Sequence, residues 1–146
     1  MRAPSQFAEK IKMENDKQVV LIAEDEADIR EMYFVALTGK GYTVLQAKNG
    51  SEAFEWLEKK GGVVDLILLD IVMPVMDGFE TLEKIKKDEK FRNIPIIVST
   101  NLDNADDKRE ALGLGANEYF VKSHHTPSEL VEIIHKIIAP PAKKII

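Results

Sequence analysis

The sequence predicts an α/β domain built on a five-stranded parallel sheet with helices on both faces. Three observations carry this reading. Short, continuous apolar runs such as Val19-Val20-Leu21-Ile22-Ala23 recur along the chain, as strands buried on both faces do. Each run is followed by apolar residues at helical spacing, the alternation that builds parallel sheets. Glycine and proline punctuate the pattern and leave only short connections.

The elements follow in order. After Val19–Ala23, a helix carries Ile29, Met32, Tyr33, Ala36 and Leu37 and stops at Gly39 and Gly41. Tyr42 to Ala47 reads as the second strand, and Ser51 as the N-cap of a helix with Ala53, Phe54 and Leu57. Val64 to Leu69, interrupted only by Asp65, is the third strand and ends at Asp70. A loop, Ile71 to Gly78, leads to a helix through Phe79, Leu82 and Ile85. Pro95 opens the strand Ile96-Ile97-Val98, and a helix from Asn104 to Leu112 is closed by Gly113 and Gly115. Tyr119-Phe120-Val121 is the last strand. Thr126-Pro127-Ser128-Glu129 is a capping box opening a helix that Pro140-Pro141 stops. Residues 1–17 read as a flexible polar lead-in, 18–139 as one domain and 140–146 as a short tail.

Composition narrows the function. The chain of 146 residues is 45% hydrophobic and 31% charged, a globular balance. No apolar run approaches the roughly 18–20 residues of a membrane span, and no apolar segment follows the start as in a signal peptide. With zero cysteines, disulfides, a thiol nucleophile and thiolate zinc sites are excluded. The expected compartment is the cytoplasm. A net charge of −5 argues against a nucleic-acid surface. Lys143 and Lys144 are too few to make one.

In open parallel sheets the functional crevice lies outside the carboxyl ends of the strands, where strand order reverses. Those ends carry Glu24 and Asp25, Asp70, Thr100 and Lys122. Singly, each has a structural reading as a helix cap, a turn former, a satisfied hydroxyl or a surface amine. Together they converge on one edge. Three adjacent carboxylates repel one another and raise each other's pKa, a penalty that Mg²⁺ with its oxygen ligands removes. Carboxylates, a lysine and a hydroxyl suit phosphoryl transfer, with aspartate able to act as nucleophile.

Four stretches carry a family resemblance. Leu21-Ile22-Ala23-Glu24-Asp25-Glu26, Leu68-Leu69-Asp70-Ile71-Val72-Met73-Pro74-Val75-Met76-Asp77-Gly78, Pro95-Ile96-Ile97-Val98-Ser99-Thr100 and Tyr119-Phe120-Val121-Lys122 resemble the CheY-like receiver domain of bacterial two-component response regulators. The resemblance implies a flavodoxin-like doubly wound sheet of order 2-1-3-4-5. It implies Asp70 as phosphoacceptor, and Mg²⁺ held by Glu24, Asp25, Asp70 and the backbone carbonyl of Val72. Thr100 and Lys122 would bond the phosphoryl group, and Thr100 and Tyr119 would form the switch. The implied partners are a sensor histidine kinase or histidine phosphotransfer protein and a downstream protein target. The chain would act as a monomer or a phosphorylation-dependent dimer, without enzymatic turnover beyond its own phosphorylation and dephosphorylation. Signalling would pass through the fourth helix, fifth strand and fifth helix, where Asp103, Asp106, Asp107, Lys108 and Arg109 expose charges of both signs.

The chain departs from the family pattern at Ser123, where proline is common, and at Asn101, where a small residue is usual. Val72 and Leu102 are apolar where polar groups often act on hydrolytic water. His124, His125 and His135 are read as loop and helix residues without a ligand role, and Phe54 and Trp56 as packing. Only a short tail follows the last helix, so output is expected from a partner, unless this receiver is excised from a larger regulator. Two accounts compete: a Mg²⁺-dependent phosphatase or phosphotransferase with an aspartyl-phosphate intermediate, and a degenerate receiver that only binds. The first generally needs a second carboxylate two residues after the nucleophile, where Val72 stands. The intact set of five polar groups argues against the second.

Overall fold

The computed structural model describes residues 17–138; the lead-in up to residue 16 and the tail from residue 139, including Pro140-Pro141, lie outside it. In chain order the elements are β1 (Val19–Ala23), α1 (Ala27–Gly39), β2 (Thr43–Ala47), α2 (Gly50–Lys60), β3 (Leu66–Leu69), α3 (Gly78–Lys87), β4 (Ile96–Thr100), α4 (Ala105–Gly113), β5 (Glu118–Val121) and α5 (Pro127–Ile138). The strands form one parallel sheet of order β2-β1-β3-β4-β5. Predicted fold and strand order are therefore those observed.

Strand periodicity splits the core into two layers. Val19, Leu21 and Ala23 of β1, Ile67 and Leu69 of β3, and Ile96 and Val98 of β4 pack with Phe54 and Leu57 of α2, Leu82 and Ile85 of α3 and Ala111 of α4. The alternate residues Val20, Ile22, Leu66, Leu68 and Ile97 pack with Tyr33 and Leu37 of α1 and Leu130, Val131 and Ile134 of α5. With both faces covered, the central strands have no position for a polar side chain until they emerge at their carboxyl ends.

Several boundaries differ from the sequence reading for local reasons. Asn49, not Ser51, caps α2, its side chain accepting from the Glu52 amide at 2.8 Å. β3 begins at Leu66, and Asp65 just before it is tied to the head of β1, its carboxylate accepting from the Val19 amide and its amide donating to the Val19 carbonyl, each at 2.8 Å. A 3₁₀ turn, Gly61–Val63, precedes it. Tyr42 lies ahead of β2, its amide bonded to the Leu37 carbonyl at the end of α1. Met32 has helical spacing but remains 44% exposed. The predicted capping box at α5 is present in both directions, Thr126 amide to Glu129 at 2.8 Å and Glu129 amide to Thr126 at 3.2 Å.

Among the described residues no helix is long and apolar enough to cross a membrane.

Candidate functional site

β1 and β3 are neighbours although β2 lies between them in sequence, so the strand order reverses between them. Their register pairs Ala23 with Leu69, and the Asp70 amide donates to the Ala23 carbonyl at 3.0 Å. Glu24 and Asp25 therefore leave the sheet beside Asp70. One ligand atom from each of these three residues lies within 4.8 Å of the others. On the other side β4 and β5 pair Thr100 with Val121, which sets Lys122 at the same edge.

Lys122 holds the acids together. Its ammonium donates to Glu24 Oε1 at 2.5 Å and to Asp70 Oδ2 at 3.1 Å, with the two acids buried and the Lys122 side chain 9% exposed. Asp70 Oδ1 accepts from the Ile71 amide at 2.7 Å. Glu24 Oε2 accepts from the Glu26 amide at 3.1 Å. Burial pushes the Glu24 carboxyl up to about 7, against the lowering effect of the Lys122 bond and with help from the negative charge of Asp70. Burial alone would lower Lys122, but its bond to Glu24 and the charges of Asp70 and Glu24 outweigh that and raise it. Lys122 thus stays charged between two acids.

The cleft above this triad has a volume of about 270 Å³ and is lined by Asp25, Glu26, Asp70, Val72, Thr100, Asn101, Leu102 and Lys122. Five of the seven candidate site residues, Asp25, Asp70, Val72, Thr100 and Lys122, meet there, beside Asn101 and Leu102. Glu24 lies beneath, reached through Lys122, and Tyr119 is set back behind Leu102. The Thr100 hydroxyl oxygen accepts from the Leu102 amide at 3.3 Å, which leaves its proton available to donate. The Tyr119 hydroxyl donates to the Leu102 carbonyl at 2.8 Å. Burial, then the nearby Asp107, Asp103 and Asp70, raise that phenol. Tyr119 is therefore docked against the β4–α4 loop. A larger groove of about 380 Å³, floored by Tyr42 and Val131 and rimmed by Lys40, Glu132, His135 and Lys136, lacks such a cluster. The chemistry, not the volume, identifies the site.

The loop between β3 and α3 is shaped by Gly78, Asp77 and Val75. A Cβ on Gly78 would lie 2.2 Å from the Asp70 carbonyl oxygen, so only glycine lets α3 start this close to the acid. Asp77 caps α3 through the Glu80 amide at 2.9 Å, and the Gly78 amide donates to the Ile71 carbonyl at 2.8 Å. Val75, between them and Asp70, has φ of 69° and is 80% exposed, a left-handed conformation that a β-branched residue rarely adopts. Among the described residues there is no cis peptide bond, and the chain after Lys122 forms a 3₁₀ turn over Lys122–His124. Phe54 packs edge-on against Phe91, Trp56 donates to the Gln46 carbonyl, and His135 contacts the Tyr42 hydroxyl, all away from the cleft.

A family model, the response regulator receiver domain, matches residues 20–135. The chain belongs to this receiver family. It is 36% identical over 126 residues to the "Probable transcriptional regulator ycf27" of Porphyra purpurea, covering 86% of this chain and 49% of that protein. It is 38% identical over 121 residues to the phosphate regulon transcriptional regulatory protein PhoB of Pseudomonas aeruginosa, covering 83% and 52%. The receiver thus spans about half the length of the curated relatives it matches. Its fold superposes on the chemotaxis protein CheY4 of Vibrio cholerae with a TM-score of 0.77 at 30% identity, covering 84% of this chain and 99% of that one. It also matches the Mn²⁺-bound form of response regulator Rcp1, with a TM-score of 0.70 at 26% identity, covering 88% and 97%. The acidic cleft of this receiver fits a phosphoacceptor site, and its three oxygen donors fit a hard divalent cation.

Proposed function

We propose that this receiver is a phosphorylation-controlled switch in which Asp70 accepts a phosphoryl group from a sensor histidine kinase or a histidine phosphotransfer protein. The observation that carries the reading is the cluster of the Glu24, Asp25 and Asp70 carboxylates, two of which, Glu24 and Asp70, bond the Lys122 ammonium. Asp70 is the nucleophile: one of its oxygens bonds to phosphorus as the bond from phosphorus to the donor breaks. Glu24, Asp25, Asp70 and the Val72 carbonyl are the residues that would hold Mg²⁺. The ion supplies counter-charge to the carboxylates and the phosphoryl oxygens when bound. Lys122 can follow the charge from the Asp70 carboxylate to the phosphoryl group, and Thr100 can donate its proton to it. Tyr119, joined to Leu102, couples that event to α4, β5 and α5, the face through which a downstream protein would read the state. We place this activity in the cytoplasm.

A phosphatase reading is disfavoured by Val72, whose 59% exposed apolar side chain occupies the position where such enzymes carry an acid/base carboxylate. Acetyl phosphate with Mg²⁺ should label the wild-type protein on an acid-stable, base-labile acyl phosphate. Asp70→Asn or chelation of Mg²⁺ should abolish the label. Persistent acid-stable labelling of Asp70→Asn would overturn the assignment.

A further inference from the structure

His124 and His125 follow Lys122 directly and take no part in the chemistry above, yet both are engaged. His125 stacks on the buried Phe120 ring, with centroids 4.7 Å apart, and its Nδ1 lies 3.3 Å from Glu129, the capping-box residue of α5. His124 points the other way. Its Nε2 lies 3.1 Å from Asp103 in the β4–α4 loop, with both side chains about half exposed.

The β4–α4 loop is the segment that presents Thr100 to the cleft. Its Leu102 amide holds the Thr100 oxygen and its Leu102 carbonyl holds Tyr119. Asn104 then caps α4 by accepting from the Asp107 amide at 2.8 Å. Asp103 lies between these anchors, so a tie at Asp103 limits how far Leu102, and with it Thr100, can move.

We propose that His124 and His125 form a clip that positions Thr100: His125 fastens the turn after β5 to the core and α5, and His124 reaches across to Asp103 to fix the β4–α4 loop. His124 and Asp103 are positioning residues, acting on the phosphoryl site through Leu102 and Thr100. The inference rests on the phosphoacceptor reading of Asp70. The direction of the effect follows from the hydrogen-bond pattern. The Thr100 oxygen already accepts from its own loop, so its proton is free to meet an anion in the cleft, and the clip preserves that arrangement.

The test is binding of beryllofluoride, a phosphoryl mimic, with Mg²⁺ by calorimetry. His124→Ala and Asp103→Asn should each weaken binding by about two- to five-fold, the range a half-exposed pair can supply. The double variant should be no weaker than either single one. The exchanged pair Asp103→His with His124→Asp should recover most of the loss, which a general structural defect would not allow. Mg²⁺ binding alone, measured the same way, should change in none of them. Wild-type binding with unchanged or tighter binding in the variants, additive losses, or no recovery on exchange would overturn the clip alone. Failure of the wild type to bind beryllofluoride would overturn the phosphoacceptor reading and the clip together.

Discussion

Replacing Gly78 by alanine probes how the fold places Asp70. The added Cβ would lie 2.2 Å from the Asp70 carbonyl oxygen and 2.5 Å from the Ile71 Cα, whereas ordinary contact begins near 3.4 Å. Both obstacles are backbone, so the first turn of α3 or the Asp70–Ile71 peptide must retreat by about 1.2 Å. That movement also stretches the 2.8 Å bond from the Gly78 amide to the Ile71 carbonyl beyond hydrogen-bonding range. Overpacking costs about 1–3 kcal/mol and a lost hydrogen bond about 1 kcal/mol. The expected loss is therefore about 2–4 kcal/mol, a fall in Tm of roughly 6–15 °C for a domain of this size. Gly113→Ala is the control, since a Cβ there meets nothing within 4 Å and should change stability by under about 1 kcal/mol. Urea unfolding followed by circular dichroism, in EDTA, measures both. A Gly78→Ala protein within about 0.5 kcal/mol of wild type would refute the steric argument.

Other expectations follow from the same geometry. Val75→Gly should raise stability by about 1 kcal/mol in the same unfolding assay, because glycine adopts the 69° φ without the side-chain cost, partly offset by its greater unfolded-state entropy. Glu24 titrates from an ordinary 4.5 up to about 7, so the folded protein holds a proton that the unfolded chain has released. Stability of the metal-free protein should fall as pH rises from about 4.5 to about 7 and then level off, by at most on the order of 3 kcal/mol. Lys122, raised above its ordinary value, stays charged throughout that window. Glu24→Gln should remove this slope, and an equal slope in both proteins would show that another group is responsible. Asp25→Ala should weaken Mg²⁺ binding more than Glu24→Ala, since Asp25 opens onto the cleft while Glu24 lies beneath Lys122. Calorimetric titration with equal affinities in the two variants would count against that division.

The sheet was legible because buried parallel strands must be apolar on both faces, whereas its order followed only from the family resemblance. The chain therefore has to change character where it leaves the sheet, at Glu24, Asp70, Thr100 and Lys122. The less legible features each depend on a partner distant in sequence. Asp65 reads as an interruption in a strand until Val19 is placed beside it. Asn49 and Ser51 are both good cap residues, and only the path of the chain leaving β2 selects Asn49. His124 and His125 read as bland loop residues because Asp103, Phe120 and Glu129 are brought to them by separate elements. The His-His pair directly after Lys122 was the available signal.

By itself the sequence determined the class of fold, the edge of the sheet that carries chemistry and the residues on it, since hydrophobic period and strand-end polarity are local properties. Tertiary structure decided how those residues divide the work. Strand register set Asp70 beside Ala23 and brought Lys122 between two acids, making Glu24 a buried partner and leaving Asp25 at the mouth of the cleft. Burial and charge at a site are sums over neighbours from several strands. They exist only once the sheet has closed.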